Sequence, residues 1–439
     1  MATPTVAMAP TAIPTPATPE RFAVSDTSRR EFHSDVPRLS AFVGDTADYL
    51  RQDLFQRTRL RVAGATDVGP AGIGSSRNSH RTDLSGEWAD TERLWDLLLD
   101  HGWRAPGFRL VNNGTTLPRA TVCRSASVGD RTLDDLIEPN RLLELYDAGA
   151  TVVLQGLQHL DAVSGKLSNN LALELDQPVQ VNAYLSPPNA KGLDIHFDYH
   201  DVIVSQLDGT KRWRVWEPIE RTRRPLRSGP TIAMPTIEEL GDPTIERTMS
   251  PGDSLAIPRG FPHCAETVDD RSVHLTMGIM ALSWERIIRL ALVAGASGTA
   301  LADRRLPGSE DDPAATSQAL GALEALVEPA ALQRLIRAEV WRRQPRTRRR
   351  PRLATDSGPA TALRVTPGPL MWLEHDDVFC RLFLGDRALK MPIEALPVLE
   401  GVLSSTTTVC ADDLRGHLDL DSAMVVVERL VREGILQRV

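Results

Sequence analysis

The chain has 439 residues and a formal net charge of −8 at pH 7. That length allows two or three domains, and the acidic balance argues against a general nucleic-acid binder, so DNA is not an expected partner. Four cysteines without C-x-x-C spacing indicate neither a zinc site nor a disulfide framework. The sequence shows no run of the ~20 apolar residues that cross a membrane and no signal-peptide pattern. We therefore expect a cytoplasmic protein without membrane contact.

The first 38 residues are predicted to be a disordered leader. Residues 1–19 are mainly Ala, Thr and Pro, a composition that buries too little apolar surface to fold. Helical and irregular segments follow up to about Leu110, and the helical spacing of Leu94 and Leu98 indicates one clear helix.

Strand candidates alternate with turn signals from about Arg109 to Leu282. Asp208-Gly209 is a two-residue hairpin signal. It is predicted to join an apolar strand, 202–207, to an alternating strand that contains Lys211. Without other information, Lys211 would be interpreted as a solvated lysine of that hairpin.

The triplet His196-Phe197-Asp198 is the strongest chemical signal. Residues two apart on a β-strand point to the same face, so His196 and Asp198 can bind one ion while Phe197 points away. His263 follows a turn-forming Pro-Arg-Gly-Phe-Pro stretch and suits the role of a third ligand from a distant strand. Two imidazoles and one carboxylate leave open positions on a metal, as in non-haem Fe(II) oxygenases. An H-x-D triplet alone is weak evidence, because chance matches are common.

Further motifs surround the triplet between Leu167 and Gly278. They are N-x-Y, L-x-G-x-K-x-W-R-V, P-G-D, I-P-x-G-F-P-H and H-L-T. In these motifs the chain resembles the JmjC-type 2-oxoglutarate oxygenases, and the ribosomal oxygenase group in particular. The resemblance implies a mixed α and β chain built on a double-stranded β-helix (the cupin or JmjC barrel). A helical dimerisation segment and a C-terminal winged-helix-like module would follow the barrel.

The resemblance implies a site for Fe(II), 2-oxoglutarate and O₂. The iron ligands that it implies are His196, Asp198 and His263. Lys211 would pair with the distal carboxylate of 2-oxoglutarate, since a buried carboxylate without a cation is costly. Three strand residues would complete the co-substrate pocket: Asn182, Tyr184 and Thr276. For Asn182 and Tyr184, ordinary strand packing is the alternative.

Two more histidines lie close to these motifs. His274 is expected to be structural or to support the site, and His200 is a candidate for the substrate side of the pocket.

The function implied is hydroxylation of a side chain in a protein or peptide, by default a ribosomal protein His or Arg. Alternatives are hydroxylation of a free amino acid or a natural-product peptide precursor, and a non-catalytic metal-binding winged-helix regulator. A cupin that uses another divalent metal is a further possibility. The presence of all three ligands together with Lys211 favours the enzyme.

Pattern and resemblance together divide the chain into five parts. They are a leader (1–38), a JmjC catalytic domain with an N-terminal helical elaboration (39–283), a helical segment (284–341), a basic linker (342–360) and a winged-helix-like domain (361–439). The helical segment is expected to form a homodimer, as in the family. The alternative is that it packs on its own barrel.

The linker carries seven arginines between Arg342 and Arg352. It is either a solvated connector or a docking strip for RNA phosphate, the ribosome or an acidic peptide. Beyond it, helices are predicted at 396–403, 411–418 and 422–434, with Asp421 or Ser422 as the cap of the third. Between Met391 and Val439, acidic residues outnumber arginines by eight to four. We therefore expect a protein-contact or structural module and not a DNA reader.

Overall fold

A computed structural model describes most of the chain. The described residues are 23–29, 31–43, 61–63, 82–101, 103–220, 222, 232–297, 317, 320–321, 329–345, 358–368, 370–384, 387–414 and 416–439. Among them, no helix combines the length and the hydropathy that crossing a membrane would require.

Helices and strands alternate along the described residues. The α-helices are α1 (Leu39–Val43), α2 (Thr91–Asp100), α3 (Pro139–Asp147), α4 (Leu157–Leu160), α5 (Ala162–Leu175), α6 (Ile237–Leu240), α7 (Trp284–Ser297), α8 (Pro329–Arg342), α9 (Leu396–Ser404) and α10 (Leu420–Arg432). The strands of the first part are β1 (Ala23–Arg29), β2 (Arg61–Ala63), β3 (Phe108–Asn112), β4 (Thr115–Thr116), β5 (Cys123–Val128), β6 (Arg131–Ile137), β7 (Thr151–Leu154) and β8 (Val179–Ser186). The later strands are β9 (Asp201–Val215), β10 (Ile245–Met249), β11 (Ser254–Ile257), β12 (His263–Ile279), β13 (Leu363–Val365), β14 (Met371–His375), β15 (Phe379–Phe383), β16 (Ala388–Pro392) and β17 (Leu436–Arg438).

The central unit is one antiparallel sheet in the order β2-β11-β9-β12-β8-β7-β3-β4, with β10 also paired to β9. The long strands β9 and β12 pair from Asp201 opposite Ile279 to Val215 opposite His263. Side chains alternate along β9, so Ile203 joins the main core while Val202 and Val204 line a cavity on the other face. Helix α5 packs against the core side of the sheet and is buried along most of its length.

The hairpin predicted at Asp208-Gly209 is wrong, because β9 continues through these residues. Gly209 has a φ of +59°, and the register with β12 shifts at this point. A left-handed glycine in a strand produces a bulge that twists the strand without reversing it. The dipeptide therefore bends a long strand, and Lys211 lies two residues beyond the bend.

The helical segment meets its own chain through α8. Val340 and Trp341 belong to the main core, and the Arg334 guanidinium lies 4.0 Å from the Glu374 carboxylate of β14. For α8, packing on the same chain is therefore what the structure shows. Helix α7 also packs on its own chain, since Ile287 is buried and Arg286 pairs with Glu339 of α8, but it keeps exposed apolar side chains as well.

The C-terminal part has its own core beneath α9 and α10. Its sheet has the order β1-β14-β15-β16, and β13 pairs separately with β17. The leader prediction is therefore wrong for residues 23–29, because β1 covers the edge of β14 that would otherwise lack a partner. Residues 1–22 lie outside the described residues.

Two details of the predicted C-terminal helices are also corrected. Asp419 caps α10, since its carboxylate accepts the Ser422 N–H at 2.9 Å. The middle helix is reduced to a 3₁₀ turn, Ala411–Leu414.

Candidate active site

Three predicted ligands meet at one point of the barrel. One side-chain donor atom from each of His196, Asp198 and His263 lies within 4.8 Å of the other two. The rings of the two histidines have centroids 4.4 Å apart, and His263 Nε2 lies 3.7 Å from Asp198 Oδ2. This donor set, two nitrogens and one carboxylate oxygen, suits a divalent transition metal.

The backbone holds the two imidazoles in a matching orientation. His196 Nδ1 lies 2.8 Å from the Asp194 carbonyl oxygen, and His263 Nδ1 lies 2.9 Å from that of Phe261. A carbonyl only accepts, so each Nδ1 carries the proton and each Nε2 keeps its lone pair for a ligand bond. Both histidines thus present the nitrogen that a metal needs.

Burial keeps His263 neutral. Its side chain is almost wholly enclosed. Burial lowers the pKa of His263 to about 4, and the neighbouring His196 adds to that effect. A neutral imidazole is the form that binds a metal.

The triplet does not lie on a strand, contrary to the sequence-based expectation. Residues 194–200 form a loop, and His196 is joined to the start of β12 by two backbone hydrogen bonds with His263, of 3.1 and 2.7 Å. Phe197 is buried, and its ring centroid lies 5.5 Å from that of Tyr199. The backbone pairing between His196 and His263, and not the alternation of side chains along one strand, brings these two imidazoles together.

Lys211 is buried and not solvated, so the interpretation as a solvated hairpin lysine is wrong. Its side chain is 2% exposed, and its ammonium donates to Ser186 Oγ at 2.8 Å. Thr151 also donates to Ser186, at 3.0 Å. Burial lowers the pKa of Lys211 to about 7. Among the described residues, its ammonium hydrogen-bonds the Ser186 hydroxyl and forms no ion pair with a carboxylate.

The predicted pocket residues face the same cavity. Its volume is about 540 Å³, and its lining includes Asn182, Tyr184, Lys211 and Thr276 beside the three-ligand cluster. Asn182 Oδ1 accepts the Gly156 N–H at 2.9 Å and Gln180 Nε2 at 3.0 Å. The Oδ1 atom of Asn182 is therefore committed to these two donors.

Tyr184 lies between two groups that the sequence did not connect with it. Its ring stacks on His274, with centroids 4.7 Å apart and planes 5° from parallel. Burial raises the pKa of Tyr184, the Asp198 charge adds to this, and a hydrogen bond from Arg109 opposes it. Burial also lowers the pKa of His274 well below its usual value, with Lys211 contributing. His274 is therefore a neutral wall of the pocket, as expected for a supporting residue.

Sequence reasoning missed Arg109, Thr151 and Ser186 as members of the site. None lies in a motif. Arg109 and Thr151 reach the cavity through strand register, because Val153 pairs with both Arg109 and Tyr184, which brings β3 and β8 to the same wall. Ser186 joins the site by accepting a hydrogen bond from Lys211. These residues could have been recognised from the sequence only if the order of the strands in the sheet had been known.

Fold and cluster together define a β-barrel with a two-histidine, one-carboxylate centre beside an enclosed cation. Residues 162–287 match the family model of the JmjC domain. The fold is similar to that of Escherichia coli YcfD, with a TM-score of 0.53 and 16% identity over 88% of this chain and 97% of that one.

Two relatives are similar in sequence to part of the chain. Ribosomal oxygenase 1 of Rattus norvegicus is 34% identical over 155 residues, which is 34% of this chain and 26% of that protein. A Culex quinquefasciatus protein named bifunctional lysine-specific demethylase and histidyl-hydroxylase NO66 is 38% identical over 113 residues, 25% of this chain and 17% of that protein. The chain thus matches about a quarter or less of the length of these relatives.

Proposed function

We propose that the protein is an Fe(II)- and 2-oxoglutarate-dependent oxygenase that hydroxylates a side chain in a protein or peptide. One observation carries the proposal. The cluster of His196, Asp198 and His263 opens on the same cavity as the buried ammonium of Lys211. A dicarboxylate that chelates a metal requires a metal site and a fixed cation in the same cavity.

The residues present fit iron. Two neutral imidazoles and one carboxylate form a facial set that leaves coordination positions open, and both Nε2 atoms are available because each Nδ1 is tied to a carbonyl. Bound Fe(II) would supply the activation of O₂ that couples decarboxylation of 2-oxoglutarate to substrate hydroxylation. The protein's part is to fix this geometry and to exclude water.

The residues also fit 2-oxoglutarate. Lys211 is held by Ser186 at the enclosed end of the cavity, where a carboxylate would replace the solvation that burial removes. Tyr184 and Thr276 line the same cavity and are the further candidates to contact this co-substrate. One structure of E. coli YcfD, with a TM-score of 0.50, is described as a complex with cobalt and 2-oxoglutarate.

A ribosomal protein is the default substrate, with His or Arg as the hydroxylated residue. The support is the match to proteins named ribosomal oxygenase and histidyl-hydroxylase. Met234 lines the cavity mouth, which supports a role of the segment before β10 in shaping the entrance. The arginines between β9 and β10 (Arg221, Arg223, Arg224 and Arg227) lie outside the described residues. A free amino acid and a natural-product peptide remain the alternative substrates.

We also propose a cytoplasmic homodimer in which α7 forms the contact. Trp284, Ile288 and Leu292 follow one another at four-residue steps and are all exposed, so they form one apolar stripe. The 361–439 module would serve protein contact, as its acidic balance suggests. Arg342 and Arg343 pair with Glu339, and the other five arginines of the basic linker, proposed for ribosome or RNA contact, lie outside the described residues.

Succinate release tests the enzyme before any substrate is known. The purified protein is incubated with 2-oxoglutarate and O₂, with and without added Fe(II). Metal-dependent succinate formation supports the oxygenase. Its absence, with intact metal binding, would favour the non-catalytic regulator.

A further inference from the structure

Gly278 lies in the inward-facing row of β12 but contributes no side chain. His274, Thr276 and Met280 line the cavity, and strand alternation places Gly278 on the same face. Its backbone does not adopt a positive φ, so the conformation itself does not require glycine. A glycine inside a strand is unfavourable and marks a place where another group approaches closely.

The group that approaches is the imidazole of His200. A Cβ built at position 278 would lie 2.6 Å from both Cδ2 and Nε2 of His200, which is closer than real Cβ contacts allow. The ring therefore occupies the volume of a side chain at 278. Residues 200 and 278 therefore depend on each other, because the imidazole of His200 can lie here only if residue 278 is a glycine.

His200 shares the cavity with several hydrogen-bonding side chains. It is half-buried and lines the cavity with Gln180, Asn182 and Tyr184. Asn182 Oδ1 is committed to Gly156 and Gln180, so Nδ2 is the atom of that amide left to donate to a ligand. An imidazole can donate and accept, and thus adds a versatile group to the same wall.

We infer that His200 determines specificity for the substrate residue. Resting on Gly278, its imidazole hydrogen-bonds the polar group of the target side chain and limits the width of the entrance beside Asp198. These hydrogen-bond donors and acceptors fit a planar, nitrogen-bearing side chain better than an aliphatic one, because an aliphatic group would leave these polar atoms unpaired. This inference rests on the proposed function.

The test uses His200→Phe, which keeps a ring of similar size but removes its hydrogen bonds. Wild type and variant are incubated with Fe(II), 2-oxoglutarate and whole-cell protein from a strain that lacks the gene. Mass spectrometry then locates and quantifies the +16 Da mark. We expect the mark to fall at least about tenfold, with Co(II) binding, followed by visible absorption, and 2-oxoglutarate affinity changed less than about twofold. His101→Phe, at the exposed end of α2, is the matched control and should retain the mark.

A second variant, Gly278→Ala, tests the dependence between the two positions. The added methyl should displace the ring and reduce the mark as His200→Phe does, and a crystal structure of the variant should show the imidazole moved. Full hydroxylation by either variant would overturn the inference. So would loss of Co(II) binding in His200→Phe, because His200 would then serve the metal site. Absence of Fe(II)-dependent succinate from wild type would instead refute the proposed function.

Discussion

Lys211 should make co-substrate binding depend on pH. Burial lowers its pKa to about 7, and the charged form is needed to pair with a carboxylate. Below pH 7 the ammonium is already present, so 2-oxoglutarate affinity should be constant. Above it, binding must take up a proton, and affinity should fall up to about tenfold per pH unit. Calorimetric titration of the Co(II)-loaded protein between pH 6 and 9 measures this. An affinity that stays flat to pH 9 would contradict it.

Removing the ammonium should weaken binding of the co-substrate far more than binding of the metal. In Lys211→Ala, a buried carboxylate would lose its partner at a cost on the order of 3 kcal/mol. The 2-oxoglutarate concentration for half-maximal succinate formation should rise about a hundredfold, with Co(II) affinity nearly unchanged. Lys191→Ala is the control, because Lys191 is exposed and pairs with Asp194. Equal titration curves for Lys211→Ala and wild type would remove Lys211 from the co-substrate site.

The carboxylate of the cluster should be essential for metal binding. Asp198→Ala leaves two imidazoles, so Co(II) binding and succinate formation should both be lost. Circular dichroism and thermal unfolding should stay close to wild type, because Asp198 lines an open cavity and does not build the core. Asp194→Ala is the matched control, since this carboxylate lies in the same loop but outside the cluster. Full succinate turnover by Asp198→Ala would refute the site.

The sequence predicted the reactive residues better than the residues that hold them. His196, Asp198 and Lys211 belong to short motifs, and the family resemblance of these motifs identified them, since Lys211 on its own indicated only a solvated lysine. Arg109 and Thr151 reach the cavity only because β3, β7 and β8 are neighbours in the sheet. Their roles arise from pairing between distant segments, which a single sequence does not encode locally.

At the scale of elements, Gly209 is the position most sensitive to a small change. Its φ is +59°, and a Cβ there would lie 1.7 Å from the Arg271 carbonyl oxygen. Gly209→Ala should therefore lower the free energy of unfolding by more than the ~1 kcal/mol that left-handed strain alone costs. It should also raise the 2-oxoglutarate requirement, because Lys211 lies two residues further along the strand.

A matched control separates the clash from the backbone strain. Gly129 has a φ of +61°, and a Cβ there would meet nothing within 4 Å. Gly129→Ala should lower the free energy of unfolding only by the smaller amount that backbone strain costs. Urea unfolding measures this loss in both variants. Equal losses in the two variants would mean that the contact with Arg271 does not matter.

The same glycine explains why the hairpin prediction failed. An Asp-Gly pair favours positive φ, and positive φ occurs both in tight hairpins and in bulges. The choice between them depends on the partner strand, and β12 pairs with β9 on both sides of Gly209. The leader prediction failed similarly, since the composition of residues 23–29 does not reveal the open edge of β14 that they cover.

At the scale of the whole molecule, the proposed homodimer depends on the exposed stripe of α7. Trp284, Ile288 and Leu292 are 68%, 52% and 44% exposed. Burying them against a second copy would remove a contiguous apolar surface from water. Light scattering should give a mass near twice the 48.2 kDa of one chain. Ile288→Glu should convert this species to monomer, because a charge would be buried without a partner. Val425→Glu, at an equally exposed apolar position on α10, should leave the dimer intact. A wild-type monomer at micromolar concentration would show that α7 does not form a homodimer contact.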